Sequence, residues 1–290
     1  MSTSPETSRV WLITGSSRGL GRSFAEAVLA AGHRLVATAR KPEQLASLVE
    51  RYGDRVRAVA LDVTNPEQAR AAVQTAVEAF GRLDVVVNNA GYGSLAPIEQ
   101  VTDEDFRSQF DTNLFGVLNV TRAALPVFRE QRSGHIIQVS SVGGRLATPG
   151  LGAYQAAKWA VGGLSEVLAK EVAPFGVKVT VLEPSGFRTD WAGASMTIPD
   201  FRPEYAATVG AVAQALRSRT GQEPGDPDRA AQVLLQVAAM VSPPLHLLLG
   251  RDAFVLSQEK LDALKAEDQK WKDLSVSTDF PEEPAPVPRF

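Results

Sequence analysis

The segment AYQAAKWAV, residues 153–161, sets Tyr154 four positions before Lys158. Side chains four apart share one face of a helix, close enough for an ammonium to act on a phenol. A free tyrosine titrates near ~10 and is a sluggish acid or base at neutral pH. A neighbouring cation favours the phenolate and lowers that value by roughly 1–3 units. The pair reads as a catalytic acid with its activator, and equally as one turn of an amphipathic helix. A second chemical signal lies near the start. TGSSRGLG, residues 14–21, places glycines at 15, 19 and 21 between a short apolar run and a good helix, RSFAEAVLAAG. Glycines let the chain turn tightly and let phosphate oxygens approach backbone N–H groups, where the helix dipole favours negative charge. The spacing is not G-x-G-x-x-G, so by itself the loop is also a plain tight turn. Its place between the first strand and a helix favours a nucleotide.

The next strand indicates which dinucleotide. An acidic residue near the end of the second strand usually holds the ribose 2′-OH of NAD. Here that strand ends VATAR: Ala39 stands where the acid is expected, followed by Arg40, and Arg18 lies inside the glycine loop. Two guanidiniums and no carboxylate suit a 2′-phosphate, so NADP(H) is expected rather than NAD.

The elements that position these residues follow from the apolar pattern. Short β-rich runs occupy Arg9–Thr14, Arg34–Ala39, Val56–Leu61, Leu83–Asn89, His135–Ser141, Val177–Glu183 and Leu245–Gly250. Helical patterns separate them, such as Pro66–Phe80, where Pro66 suits a first turn and Gly81 a C-terminal stop. Strand–helix alternation predicts an α/β fold: a single Rossmann-type domain over residues 8–275, a doubly wound parallel sheet of about seven strands with helices on both faces. Residues 190–228 break the rhythm with four prolines and several apolar residues, and 276–290 form a proline-rich tail expected to be extended or disordered.

Composition narrows the function classes. The 290 residues are 44% hydrophobic and 22% charged, with net charge -3 and no long basic run, so neither nucleic acid nor an anionic membrane is indicated. There are no cysteines, and the three histidines (His33, His135, His246) are far apart, so no metal site is expected. No apolar run approaches ~18 residues. The N-terminus lacks the charged start and apolar middle of a signal peptide, and a cytoplasmic protein is expected.

TGSSRGLG, NNAG at 88–91, Asn113, Ser141 and the Tyr154/Lys158 pair occur in an order that resembles the short-chain dehydrogenase/reductase family, from about Arg9 to Gly250. NNAGYG, EPSGFRTDW and STDF are most similar to the hydroxysteroid-dehydrogenase-like carbonyl reductases within it. The resemblance implies a tetrad. Tyr154 would be the general acid/base and Ser141 would hydrogen-bond the substrate oxygen. Lys158 would lower the tyrosine pKa and hold the nicotinamide ribose, and Asn113 would support a water that relays protons to Lys158. The nicotinamide would supply a hydride for carbonyl carbon and the tyrosine a proton for oxygen. Ligands of an open parallel sheet bind at the carboxyl ends of strands, where a strand-end serine and a helix-start tyrosine converge.

The resemblance extends to the cofactor. Gly15, Ser17, Arg18, Gly19, Leu20 and Gly21 would cradle the pyrophosphate, with Arg40 on the 2′-phosphate. Asp62 would bond the adenine amino group, beside Val63; a helix cap is its bland reading. Asn89, Ala90 and Gly91 would line the adenosine ribose, and Asn88 would fix the fourth strand. Pro184, Gly186 and Thr189 would reach the nicotinamide carboxamide or pyrophosphate. Glycine usually follows this proline directly in the family, whereas here Ser185 intervenes before Gly186.

Residues 190–228 occupy the place of the family's substrate lid. Trp191, Met196, Ile198, Phe201 and Tyr205 give it an apolar lining, with Tyr92, Leu95 and Val142 as further pocket candidates. Such a pocket suits an apolar or aromatic carbonyl compound or the matching alcohol; packing of the lid on the body is the alternative. The expected activity is NADPH-dependent reduction of a ketone or aldehyde, or the reverse. A cofactor-sensing binding protein on the same fold is the rival from another class, and epimerisation or dehydration a rival reaction. The helices around Asp103–Arg129 and Tyr154–Ala173 commonly form a dimer face in the family, which implies a homodimer or homotetramer.

Overall fold

A computed structural model describes residues 8–191, 193 and 195–280. Seven strands, β1 (Val10–Ile13), β2 (Arg34–Ala39), β3 (Val56–Ala60), β4 (Val85–Asn88), β5 (Gly134–Val139), β6 (Val177–Pro184) and β7 (His246–Leu249), form one parallel sheet. Their order is β3-β2-β1-β4-β5-β6-β7. The register is set by apolar runs buried on both faces: Trp11 pairs with Leu35 on one side and Val85 on the other. Such runs are what a sheet covered on both faces requires.

Alternation along β1 shows the two cores. Val10 and Leu12 face one layer, with Val73 of α3 (Pro66–Phe80), Val120 and Phe128 of α5 (Gly116–Gln131) and Leu168 of α6 (Gly152–Val172). Trp11 and Ile13 face the other, with Phe24 and Leu29 of α1 (Gly19–Ala30), Leu48 of α2 (Ala46–Tyr52) and Leu234 of α8 (Pro227–Ala239). Each such fully buried side chain contributes about 1.5–3 kcal/mol. The boundaries of α3 match its sequence signals. Asn65 caps it by accepting from the Glu67 and Gln68 N–H groups, and Gly81 ends it in the left-handed region at φ 81°.

Several strands are a residue or two shorter than their apolar runs. β5 ends at Val139, so Ser141 lies two residues beyond the strand and caps a short 3₁₀ turn, Val142–Gly144. Between α4 (Asp103–Phe110) and α5 the chain makes a π-turn, Asp111–Phe115, which holds Asn113. The segment expected as 190–228 contains α7 (Ala211–Arg219), and its last residues already belong to α8. The last element, α9 (Arg251–Val276), runs one residue into the stretch expected as tail, and of its side chains only Ala253 and Ser257 are buried. Residues 281–290 of that tail lie outside the described residues. No helix among the described residues is long and apolar enough to cross a membrane.

Candidate active site

The strand order reverses between β1 and β4, and the loops leaving those two strands open a crevice at the carboxyl edge of the sheet. Thr14 bridges it: its hydroxyl accepts from the Asn89 and Ala90 N–H groups, each at 2.9 Å. The Asn89 side chain returns the tie, donating to the Thr14 carbonyl at 2.9 Å and the Gly15 carbonyl at 3.2 Å. Asn88 lies in the sheet interior and donates to Thr121 and Gln138. Thr14 opens the TGSSRGLG motif, and nothing in the sequence beyond that position assigns it this bridging role.

The glycines are required by this packing. Gly15 and Gly19 have φ of +69° and +55°, a region that disfavours side chains. Gly21 faces the Gly15 carbonyl so closely that a Cβ would lie 2.2 Å from that oxygen and 2.4 Å from Asn89 Nδ2. Gly21→Ala is therefore expected to cost about 1–3 kcal/mol of stability through overpacking and to weaken dinucleotide binding. Thermal denaturation and cofactor titration check this, and wild-type values in both would refute it. α1 begins at Gly19, and Arg18 at its N-cap makes no side-chain cap bond, so the first-turn N–H groups face the loop uncapped. Such a helix start is an anion site. The Thr189 side chain lies 3.5–3.6 Å from where a Gly19 Cβ would be, which places Thr189 at the glycine loop.

Ala39 is buried at the end of β2, while Arg40 and Arg18 are exposed with no ion pair among the described residues. Ser17 and Leu20 are half-buried on the loop. Asp62 is half-buried; one carboxylate oxygen accepts from the Thr64 N–H and hydroxyl, so it shapes the turn before α3 while Asn65 caps the helix. Val63 is buried against Gly116, and Ala90 and Gly91 line the crevice floor.

Tyr154 is the third residue of α6, in its first turn, and is 6% exposed. Burial pushes its phenol up to about 12, against a smaller opposite pull from the Ser141 hydroxyl. The net direction is thus opposite to the depression expected from the lysine, because burial dominates. Lys158 is buried too; its Nζ donates to the Val139 carbonyl at 2.9 Å and sits 5.8 Å from the tyrosine ring centre. Burial lowers its own pKa to about 8. Ser141 Oγ accepts from the Gly143 N–H, whereas the adjacent Ser140 donates to the Lys158 carbonyl, so only Ser141 serves the tyrosine.

Asn113 is fully buried. Its amide donates to the Tyr92 carbonyl and to Gln109 Oε1, and its Oδ1 accepts from the Tyr92 N–H. Both amide protons are used on protein, so the side chain braces the 91–92 segment. A Cβ at Gly91 would lie 2.6 Å from Asn113 Oδ1 and 3.6 Å from Lys158 Nζ, so Gly91 floors the lysine's end of the crevice.

The substrate candidates divide. Leu95 is fully buried with Leu151, Met196, Val209 and Ala213 in a small separate core, so it packs the lid on the body instead of lining an open pocket. Tyr92 and Val142 are half-buried beside the crevice. Trp191 lies over the catalytic candidate itself, its ring 5.1 Å from that of Tyr154 at 53°. Main-chain pairing of Leu95 N–H with the Thr197 carbonyl holds the lid down, as do contacts of Arg202 and the Tyr205 hydroxyl with Glu99.

A family model described as short chain dehydrogenase matches residues 9–197. The chain belongs to the short-chain dehydrogenase family. It is 53% identical over 271 residues to the oxidoreductase BOA17 of Botryotinia fuckeliana, covering 93% of this chain and 99% of that protein. Its fold matches the crystal structure of a short-chain dehydrogenase from Streptomyces avermitilis with TM-score 0.89 and 41% identity, over 94% of this chain and 100% of that one. A short-chain dehydrogenase/reductase from Burkholderia phymatum, solved in complex with NAD, matches with TM-score 0.79 and 25% identity, over 98% and 100% of the two chains.

This short-chain dehydrogenase accommodates Ser185 after Pro184 by a local device. The Ser185 N–H and hydroxyl both donate to the Leu249 carbonyl, and the hydroxyl lies 2.6 Å from where a Gly250 Cβ would be. Gly250, at φ 97°, makes the room. Gly186 then stays exposed, with its carbonyl accepting from the Gly225 N–H. Behind it, Glu183 forms a two-pronged ion pair with Arg145 at 2.9 and 2.5 Å, tying the loop after Ser141 to the end of β6.

Proposed function

We propose that the protein is an NADP(H)-dependent carbonyl reductase that converts an apolar or aromatic ketone or aldehyde to the alcohol, with Tyr154 as general acid/base. The observation that carries this reading is the placement of the buried Tyr154 and Lys158 with the half-buried Ser141 beside the nucleotide crevice. When bound, the reduced nicotinamide supplies a hydride. The residues present fit such a cofactor: an uncapped helix start, glycines at positive φ, and Gly91 where a side chain would meet Lys158 and Asn113.

In the reductive direction Ser141 Oγ holds the substrate oxygen and Tyr154 Oη gives it a proton. A phenol held near 12 is protonated throughout the neutral range, the state an acid needs. Lys158 presents a positive charge behind that phenol and stabilises the phenolate left after transfer. In the oxidative direction the same phenol must first ionise, so alcohol oxidation should rise with pH. Asn113 is a positioning residue that holds Tyr92 and Gly91 at the crevice.

Arg40 and Arg18 support the 2′-phosphate, since both are exposed beside the buried Ala39, where no carboxylate can bond a ribose 2′-OH. Bound NAD in the Burkholderia relative makes this preference the point to test. Hydrogen bonds to charged groups contribute about 1.5–3 kcal/mol, so Arg40→Ala should raise KM for NADPH roughly 10- to 150-fold and leave NADH nearly unchanged. Cofactor oxidation at 340 nm measures both. Wild-type preference for NADH would refute the assignment, and cofactor binding without turnover on any ketone or aldehyde would favour a sensor. Exposed Phe115, just before α5, and Trp159 and Val167 of α6 support a homodimer or homotetramer through this face.

A further inference from the structure

The indole of Trp191 covers the ring of Tyr154, with centroids 5.1 Å apart and planes at 53°. Its backbone N–H is fastened to the Thr189 hydroxyl at 3.3 Å, so the lid enters this position directly from the glycine-loop side. Gly93 is a further close neighbour of the indole. A Cβ there would fall 2.9 Å from Trp191 Cζ2 and 3.4 Å from Met196 Cε. The first is closer than side-chain carbons approach in practice. Residue 93 must therefore lack a side chain for the indole to lie across the tyrosine.

From this contact we propose that Trp191 and Gly93 act as a pair that selects substrate shape, admitting flat aryl ketones and rejecting bulky saturated ones. This rests on the reading of Tyr154 as the proton donor. The indole lies against the ring of the residue whose Oη the carbonyl oxygen has to reach. A planar aryl ketone slides along the indole face and gains an offset stack with it. A globular alicyclic ketone has no such face and must displace the whole ring. The glycine leaves the room the ring occupies: a methyl group at 93 forces the indole out of this position against the tyrosine.

The test compares acetophenone with camphor in the NADPH-loaded enzyme, using wild type, Trp191→Ala, Gly93→Ala and the double variant. Trp191→Ala is expected to shift the ratio of kcat/KM for acetophenone over camphor at least tenfold towards camphor. Gly93→Ala is expected to lower kcat/KM for both ketones, and Trp191→Ala placed on it should restore camphor turnover, because the clash requires both groups. Non-additivity of that kind marks direct contact and not a general loss of structure. An unchanged ratio in Trp191→Ala, or strictly additive effects, overturns the proposal while the reductase assignment stands. Calorimetric binding of acetophenone to the same variants supplies an arm independent of turnover. Binding weakened at least tenfold by Trp191→Ala supports the contact between indole and aryl ketone even where turnover is absent, in which case it is the reading of Tyr154 as proton donor that fails. Binding that ignores residue 191 overturns the selector.

Discussion

Replacing Tyr154 with phenylalanine is expected to lower kcat for carbonyl reduction about 100- to 10,000-fold, the usual worth of a positioned general acid. The substitution deletes one oxygen. The ring it leaves is still packed in the first turn of α6 and still lies under Trp191, so folding and cofactor affinity should change little. The loss should therefore appear in kcat, with the dinucleotide dissociation constant within a few-fold of wild type. Because burial holds the phenol near 12, the wild-type reductive rate should be flat through neutral pH on account of this group. It should bend where Lys158, held near 8, loses its charge. Activity of the variant within threefold of wild type would sink the role of Tyr154.

A second large effect concerns stability in acid. His135 of β5 is 4% exposed and held down to about 3 by burial, with the Lys178 and Arg9 charges acting in the same direction. Its Nε2 is 2.9 Å from the Thr180 hydroxyl, which itself donates to the Pro244 carbonyl, so the network assigns the proton to Nε2. Nδ1 is buried without a partner, and a second proton there would find no acceptor. The unfolded chain takes up that proton near 6.5. Between that value and about 3 the unfolded state binds more protons, so stability is complete above the window and falls as pH drops through it. From this residue alone the loss is roughly 2 kcal/mol by pH 5. Denaturant titrations at pH 7.5 and pH 5 should show the gap in unfolding free energy shrink by about that amount in His135→Gln. An unchanged gap would mean that His135 titrates normally. His246 works in the opposite sense: its bond to Glu183 raises its pKa, so that contact is strongest in acid and is lost as pH rises through the raised value.

The sheet and its order of helices were legible because strands buried on both faces must be continuous apolar runs, and the helix ends carried their own signals at Asn65, Pro66 and Gly81. Tyr154 and Lys158 were legible as a pair through helical spacing, and Gly15, Gly19 and Gly21 through their place between a strand and a helix. What one sequence could not show was burial. The tyrosine pKa depends on what covers it, and the cover is Trp191, 37 residues away and held by the lid. For the same reason the sequence leaves Leu95 between pocket lining and lid packing, and only the structure places it in the buried core with the lid. Thr14 and Gly93 lie within sequence motifs, but the spacing gives neither a role; the approach of another segment does. The Arg145–Glu183 pair joins positions 38 residues apart that no periodicity connects.

The strand order has a consequence for how the chain is made. β1 sits in the middle of the sheet, yet its two partners are translated far apart: Ile13 pairs with Ala37 on one edge and with Val87, 74 residues downstream, on the other. At a synthesis rate of about 5–20 residues per second, that second partner arrives roughly 4–15 s after β1 itself. A nascent three-stranded unit of β1, β2 and β3 meanwhile shows an unpaired edge whose side chains are Trp11, Leu12 and Ile13. An open edge of that composition pairs with whatever strand it meets. The newborn polypeptide is thus most exposed to misassociation on the ribosome during the interval before residues 85–88 emerge, and holdase chaperones have most to protect there.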